Sequence, residues 1–351
     1  MATIIRDGFD FYATTAEGNT LWSSLSNCTL SASSRFAVGQ SLALVTSGLT
    51  GDINFQHTFG FNSTDTLILN FALRRTSGIT GATTGEHRFL FLDDATVQFS
   101  FTIDENGGMR FFRGNVATLL GTYSGAFAGG GSWNHFQIKI VISDAVGSFE
   151  VRRDGSDFND FEVLSVDTKI TANSFINSVQ CVCGQNNPAA HQIDDFWLLD
   201  SSVVAGEPSN WIGDVRAVQI MPNSDSIASF GRSAGSTNFS NVDELIASSA
   251  DYVFGSTPGQ ADEYGNAGFV APVPDVIQGL SVRLVALKTD AGPRTVGSRI
   301  RTNGVAAEGA GRTITAAARS YVYRHDLNPD TGVAWTAAEI AAMTFGPRIA
   351  T

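Results

Sequence analysis

Two acidic pairs, Asp93-Asp94 and Asp194-Asp195, are the residues whose type and spacing come nearest to catalytic chemistry. Hydrolysis of a glycosidic bond uses two carboxyl groups a few ångströms apart, one as acid and one as base or nucleophile. On a strand, such a pair must alternate, because neighbouring residues point to opposite faces. Both pairs are adjacent, so the spacing predicts strand-end and turn roles for them, and no catalytic residue is assigned. The five histidines, His57, His87, His135, His191 and His325, stand singly without metal-ligand spacing. Residues 128–131, Ala-Gly-Gly-Gly, lack the Lys and the helix of a phosphate-binding loop and read as a turn. Cys28, Cys181 and Cys183 are too few and wrongly spaced for a disulfide framework or a zinc site, which leaves buried free thiols.

The elements that carry these residues are strands. The chain has 351 residues, 43% hydrophobic and 16% charged, with 36 Gly and 25 Phe, a balance of many short strands joined by glycine-containing turns. Its length predicts two domains. A net charge of −12 repels a phosphate backbone and an anionic membrane surface alike, so neither nucleic acid nor membrane is an expected partner. No apolar run approaches a bilayer span, and the first residues lack the pattern of a signal segment.

Alternating apolar runs recur through the first half at 54–59, 88–92, 97–103 and 109–113, with Asp104-Glu105-Asn106-Gly107-Gly108 as a hairpin turn between the last two. Residues 66–73 are apolar on both faces, the pattern of a central strand covered from two sides. Phe136, Ile138, Ile140 and Ile142 make one apolar face, and Phe149 and Val151 face them from a returning strand that ends in an Asp154-Gly155 turn. Residues 191–200 close the set, with Ile193, Asp195, Trp197 and Leu199 assigned to one face.

A Trp133-led strand of alternating aliphatics, a short glycine turn, a strand running into Arg152-Arg153-Asp154-Gly155 and a final strand at 191–200 together resemble the laminin-G-like, or concanavalin A-like, jelly roll. The resemblance covers residues 1–203. Residues 204–351 open with Trp211-Ile212-Gly213-Asp214-Val215-Arg216, end near Trp335, and resemble a module found after such domains in tailed-bacteriophage virion proteins. The expected fold is all-β: a laminin-G-like jelly-roll sandwich at 1–203, then a smaller β-rich sandwich domain with short helices at 204–351. In the second half a helix is expected at 241–250 behind an Asn241 cap, a closing helical turn behind Thr336, and paired strands at 276–288 and 295–302.

The resemblance implies a non-enzymatic structural component of a tailed-phage virion, assembled in the host cytoplasm. It would be an outward-facing tail, fibre or capsid-decoration protein that self-associates, with other virion proteins and a host-surface glycan as partners. The alternatives are a carbohydrate-binding adhesin module and a polysaccharide depolymerase with an unrecognised site. Sugar stacking points to Trp22, Trp133 and Tyr264, aromatic residues beside polar loops. No cofactor is expected apart from calcium, for which the resemblance nominates the rim residues Asp93, Asp94, Asp104 and Asn106.

Overall fold

A computed structural model of the chain describes every residue except 1–2, 11, 13–14, 16–20, 36–39, 45–52, 60–63, 76–86, 105–106, 126–130, 184–190, 201–209, 245–246 and 267–275, and every described side chain except those of Ile53 and Cys183. The chain divides into two compact units, Met1–Val204 with Pro208–Ala217, and Ala205–Glu207 with Val218–Thr351.

The first unit is a jelly-roll-type sandwich of two antiparallel sheets. The first sheet runs Phe161–Val166, Gly147–Arg153, Trp133–Val141, Thr66–Arg75, His191–Asp200, Ser41–Leu44 and Thr29–Ser31, with Thr3–Asp7 also paired to His191–Asp200. The second runs Thr118–Tyr123, Met109–Arg113, Thr96–Ile103, His87–Asp93, Ser178–Cys183, Ile53–Thr58 and Ser24–Ser26. Strand alternation builds the core between them. Leu67, Leu69, Phe71 and Leu73 meet Phe136, Ile138, Ile140, Phe149 and Val151 from the first sheet and Phe55, Phe89, Phe99, Phe101 and Phe111 from the second. The phenylalanines interlock, with Phe89 stacked on Phe101 at 4.7 Å between ring centres and Phe111 on Phe149 at 4.5 Å. Cys28 and Cys181 are buried.

The strand Thr66–Arg75 is covered on its second face as well. Ile68, Trp197 and Leu199 pack there against Ile212 and Val215, so residues 210–217, which the sequence motif joins to the second half, lie on the first sheet. The Asp154-Gly155 turn has positive φ at both residues, 50° and 76°, as that dipeptide favours.

The second unit holds a sheet of Pro222–Ile227, Glu263–Asn266, Thr344–Ile349, Thr295–Thr302 and Val305–Glu308, with Arg312–Thr313 on its flank. Two ribbons accompany it, Gly231–Arg232 with Val253–Phe254 and Ser281–Ala286 with Arg319–Arg324. The expected pairing of 276–288 with 295–302 does not occur, because Ser281–Ala286 bonds to Arg319–Arg324 while Thr295–Thr302 bonds to Thr344–Ile349. Residues 241–250 form no α-helix over their described part, and only Asn241, the end of a 3-10 turn, is helical at all. The Asn241 amide instead donates to the carbonyls of Ala234 and Thr237 and accepts from Ala234 N, closing a loop around the 3-10 turn Phe239–Asn241. The closing helix, Ala337–Ala342, forms behind a Thr336/Glu339 capping box.

Candidate functional site

The outward face of the first sheet concentrates the polar chemistry of the first unit. The alternation that sends Phe136, Ile138 and Ile140 into the core sends Trp133, His135 and Gln137 outward. Their cross-strand partners, Arg74, Ala72 and Asn70, lie on the same face. Arg74 is in turn opposite Gln192, and Ala72 is opposite Asp194. Trp133, Arg74 and Gln192 therefore form one rung, and His135, Ala72 and Asp194 the next.

In the first rung Trp133 is half-buried, with the Arg74 guanidinium over its ring at 5.9 Å. Arg74 also donates to Ser33 Oγ, and Gln192 Nε2 donates to Ser31 Oγ at 2.7 Å. The rung is an aromatic surface bordered by guanidinium, amide and hydroxyl groups.

The second rung leads to a cluster of carboxyl groups that strand alternation does not foresee. Between Asp194 and Trp197 the strand carries one residue more than its partner, which runs from Ala72 to Asn70. Asp195 takes a left-handed conformation at φ 49°, and its N–H donates to Asp194 Oδ1 at 2.8 Å. The bulge reverses the face assignment expected beyond Asp194. Ile193, Phe196 and Leu198 point into the core, while Trp197 and Leu199 point outward. It also brings together the two carboxyl groups that a regular strand would separate, beside Arg35. Arg35 N donates to Asp194 Oδ2 at 2.8 Å, Nη1 reaches Asp195 Oδ2 at 3.5 Å, and Nη2 pairs with both oxygens of Asp214, at 2.6 Å to Oδ2. Ala217 N donates to Asp195 Oδ1 at 2.7 Å, and Gln40 N to Asp10 Oδ1 at 2.7 Å.

Burial disfavours charge on these acids. Desolvation, then the charge of Asp195, pushes Asp194 up to about 8. Desolvation raises Asp10 to about 7 against the Gln40 N–H, and raises Asp195 to about 6 against the Ala217 N–H and Arg35. His135 Nδ1 lies 3.8 Å from Asp214 Oδ1, yet burial outweighs that carboxylate and lowers the imidazole to about 4. Asp194 and Asp195 are 3% and 5% exposed, so they are closed to a substrate.

Of the aromatic residues nominated for sugar stacking, only Trp133 reaches the surface. Trp22 is 1% exposed, stacked on Phe9 and edge-on to Phe55 and Phe196, with Nε1 donating to Asp7 Oδ2 at 2.7 Å. Tyr264 is 2% exposed and its hydroxyl donates to Asp262 Oδ2 at 2.9 Å, with burial and that carboxylate holding it well above the usual phenol range. Both are core residues without a face to offer a ligand.

The residues nominated for calcium serve turns. Asp93 Oδ2 accepts from Thr171 Oγ1 at 2.7 Å and Asn173 Nδ2 at 3.0 Å. Asp94 exchanges hydrogen bonds with the Asn177 side chain, and Asp104 Oδ1 accepts from Gly108 N at 2.9 Å. Asn106 lies outside the described residues. Among the described residues no group of three or more His, Cys, Asp or Glu side chains could hold a metal ion. No described helix is long and apolar enough to cross a membrane.

No family model and no curated protein matches the chain. Among solved structures it is similar to the carbohydrate recognition domain of Emp46p in its metal-free form, at 10% identity and TM-score 0.40 over 57% of this chain and 97% of that one. It is likewise similar to the cellulose-induced protein Cip1, at 14% identity and TM-score 0.40 over 60% of this chain and 100% of that one. A third is lectin II from Ulex europaeus, at 9% identity and TM-score 0.36 over 56% of this chain and 98% of that one. The expectation of a tailed-phage virion component with tail, fibre or capsid placement is overturned, since these likenesses are to a carbohydrate-recognition domain, a lectin and a cellulose-induced protein, and virion-protein partners are left without support. The likeness of residues 204–351 to a phage module is left without support.

Proposed function

We propose that this chain is a carbohydrate-binding adhesin module that holds its ligand on the outward face of the first sheet without cleaving it. One observation carries the reading. Trp133 is half-exposed in the same rung as Arg74 and Gln192, with Ser31 and Ser33 bonded to those two side chains. An aromatic face takes the C–H surface of a pyranose, and the guanidinium and hydroxyl groups beside it exchange hydrogen bonds with ring hydroxyls, while the buried Gln192 holds Ser31 in place. Binding without cleavage agrees with the closure of Asp194 and Asp195, which offers no paired carboxyl groups to a glycosidic bond.

A glycan array probed with the whole chain, followed by calorimetry on the tightest glycan, tests the reading. Trp133→Ala is expected to weaken binding by about tenfold or more, the equivalent of about 1.4 kcal/mol, with an unchanged circular dichroism spectrum. Failure to retain any glycan, or wild-type affinity in Trp133→Ala, overturns it.

A further inference from the structure

Two segments cross the outward face of the first sheet, residues 31–35 and 211–217, and the carboxyl cluster ties both down. The first is held by Gln192 and Arg74 through Ser31 and Ser33, by Ser41 Oγ donating to Ser33 O at 2.6 Å, and by Arg35 N on Asp194. The second is held by the N–H groups of Ile212 and Gly213 on Gln137 Oε1, both at 3.0 Å, and by Ala217 N on Asp195. Arg35 joins the two, since its guanidinium donates to Val215 O at 3.1 Å and pairs with Asp214.

The charges at this junction do not balance. Asp195 and Asp214 pair with the guanidinium of Arg35, Asp194 accepts from its backbone N–H, Asp10 adds its charge to both acids of the bulge, and His135 from the neighbouring strand is neutral. Asp10, Asp194 and Asp195 are each under a tenth exposed, so water does little to screen their repulsion. Buried carboxyl groups in such a surplus keep protons.

We infer that this cluster is a proton-controlled latch: it holds residues 31–35 and 211–217 against the sheet while it carries protons and loosens them when the protons leave. Burial and the neighbouring Asp195 both disfavour charge on Asp194, so its ionisation adds a second buried anion to the bulge. The direction is alkaline release. Acidification instead fastens the latch, because a neutral Asp194 still accepts the Arg35 N–H and no longer repels Asp195. The latch does not depend on sugar binding.

Pulsed hydrogen exchange on the full chain at pH 6 and pH 9, corrected for the intrinsic rate, reads the latch directly. Protection of residues 211–217 is expected to fall about tenfold between the two, while the core strand Thr96–Ile103 keeps its protection. Asp194→Asn is neutral at both pH values and is expected to keep the pH 6 protection at pH 9. Equal protection of 211–217 at both pH values overturns the latch, as does a loss shared equally with Thr96–Ile103, or a loss in Asp194→Asn as large as in the unsubstituted chain. Should Asp194→Asn fail to fold, Asp10→Asn removes a neighbouring charge and carries the same expectation.

Discussion

The N–H of Asp195 donates to Oδ1 of Asp194 at 2.8 Å, so two acids adjacent on one strand share one side of a sheet. The bulge that turns Asp195 there also sets Phe196 into the core beside Trp22, at 5.0 Å between ring centres. Packing of an aromatic core and assembly of a carboxyl cluster are thus one event in the backbone.

Stability should be lower at pH 9 than at pH 7. Asp10, Asp194 and Asp195 have folded values raised to about 7, 8 and 6 by burial, so the folded chain binds more protons than the unfolded one, and stability falls as pH rises through that window. His87 and His135 are lowered to about 4 by burial, so their contribution is lost as pH falls below the ordinary histidine value. Calorimetric melting from pH 4 to 9 checks this, and a melting temperature that climbs steadily from pH 7 to 9 would contradict it.

Asp7 is a hub for buried donors. Its carboxylate accepts from Phe9 N at 2.8 Å, Tyr12 Oη at 2.6 Å and Trp22 Nε1 at 2.7 Å. Trp22→Phe keeps the ring packing and removes one donor, which should cost about 1–3 kcal/mol. Asp7→Ala leaves all three donors without that acceptor and should cost more. Urea unfolding of the two variants would expose an error if Asp7→Ala were the milder.

Gly155 turns at φ 76°, and a Cβ there would stand 3.1 Å from Asp214 Cβ. Gly155→Ala should therefore lower stability by about 1–2 kcal/mol, visible as a shifted denaturant midpoint with an unchanged slope. No shift would mean that the turn tolerates a side chain.

In the second unit Glu263 is fully buried between Arg301, which it meets at 2.9 and 2.8 Å, and Arg299 at 3.0 Å. Burial raises the carboxyl, but Arg301, Thr344 and Arg299 outweigh it and hold the group below its usual range. Glu263→Gln leaves Arg299 and Arg301 without their shared anion and should cost about 3–5 kcal/mol. Thermal unfolding followed at Trp335, which lies in this unit's core, would show it. Loss of less than about 1 kcal/mol would place the pair among ordinary surface ion pairs.

Sequence alone was enough for the all-β class, for most strands from 53 to 200 though not Thr118–Tyr123, Phe161–Val166 or Ser178–Cys183, for the Asp154-Gly155 turn and for the Thr336 cap. Each is a local matter, because alternation, positive φ and capping depend on residues a few positions apart. It also placed Trp133 among the candidates, and the same alternation that buries Phe136 turns Trp133 outward. What it could not determine was burial across the fold. Trp22 and Tyr264 sit beside polar residues in sequence but find buried carboxylates on Asp7 and Asp262. The bulge had one faint signal, since Ile193 and Phe196 both reach the core three residues apart, a spacing no regular strand permits. Whether Asp194-Asp195 stayed on opposite faces or converged on Arg35, 159 and 160 residues distant, was decided only when the sheet chose which aromatic residue to bury. Tertiary packing made that choice, because burying Phe196 against Trp22 and Phe55 outweighs the cost of one residue in a left-handed turn.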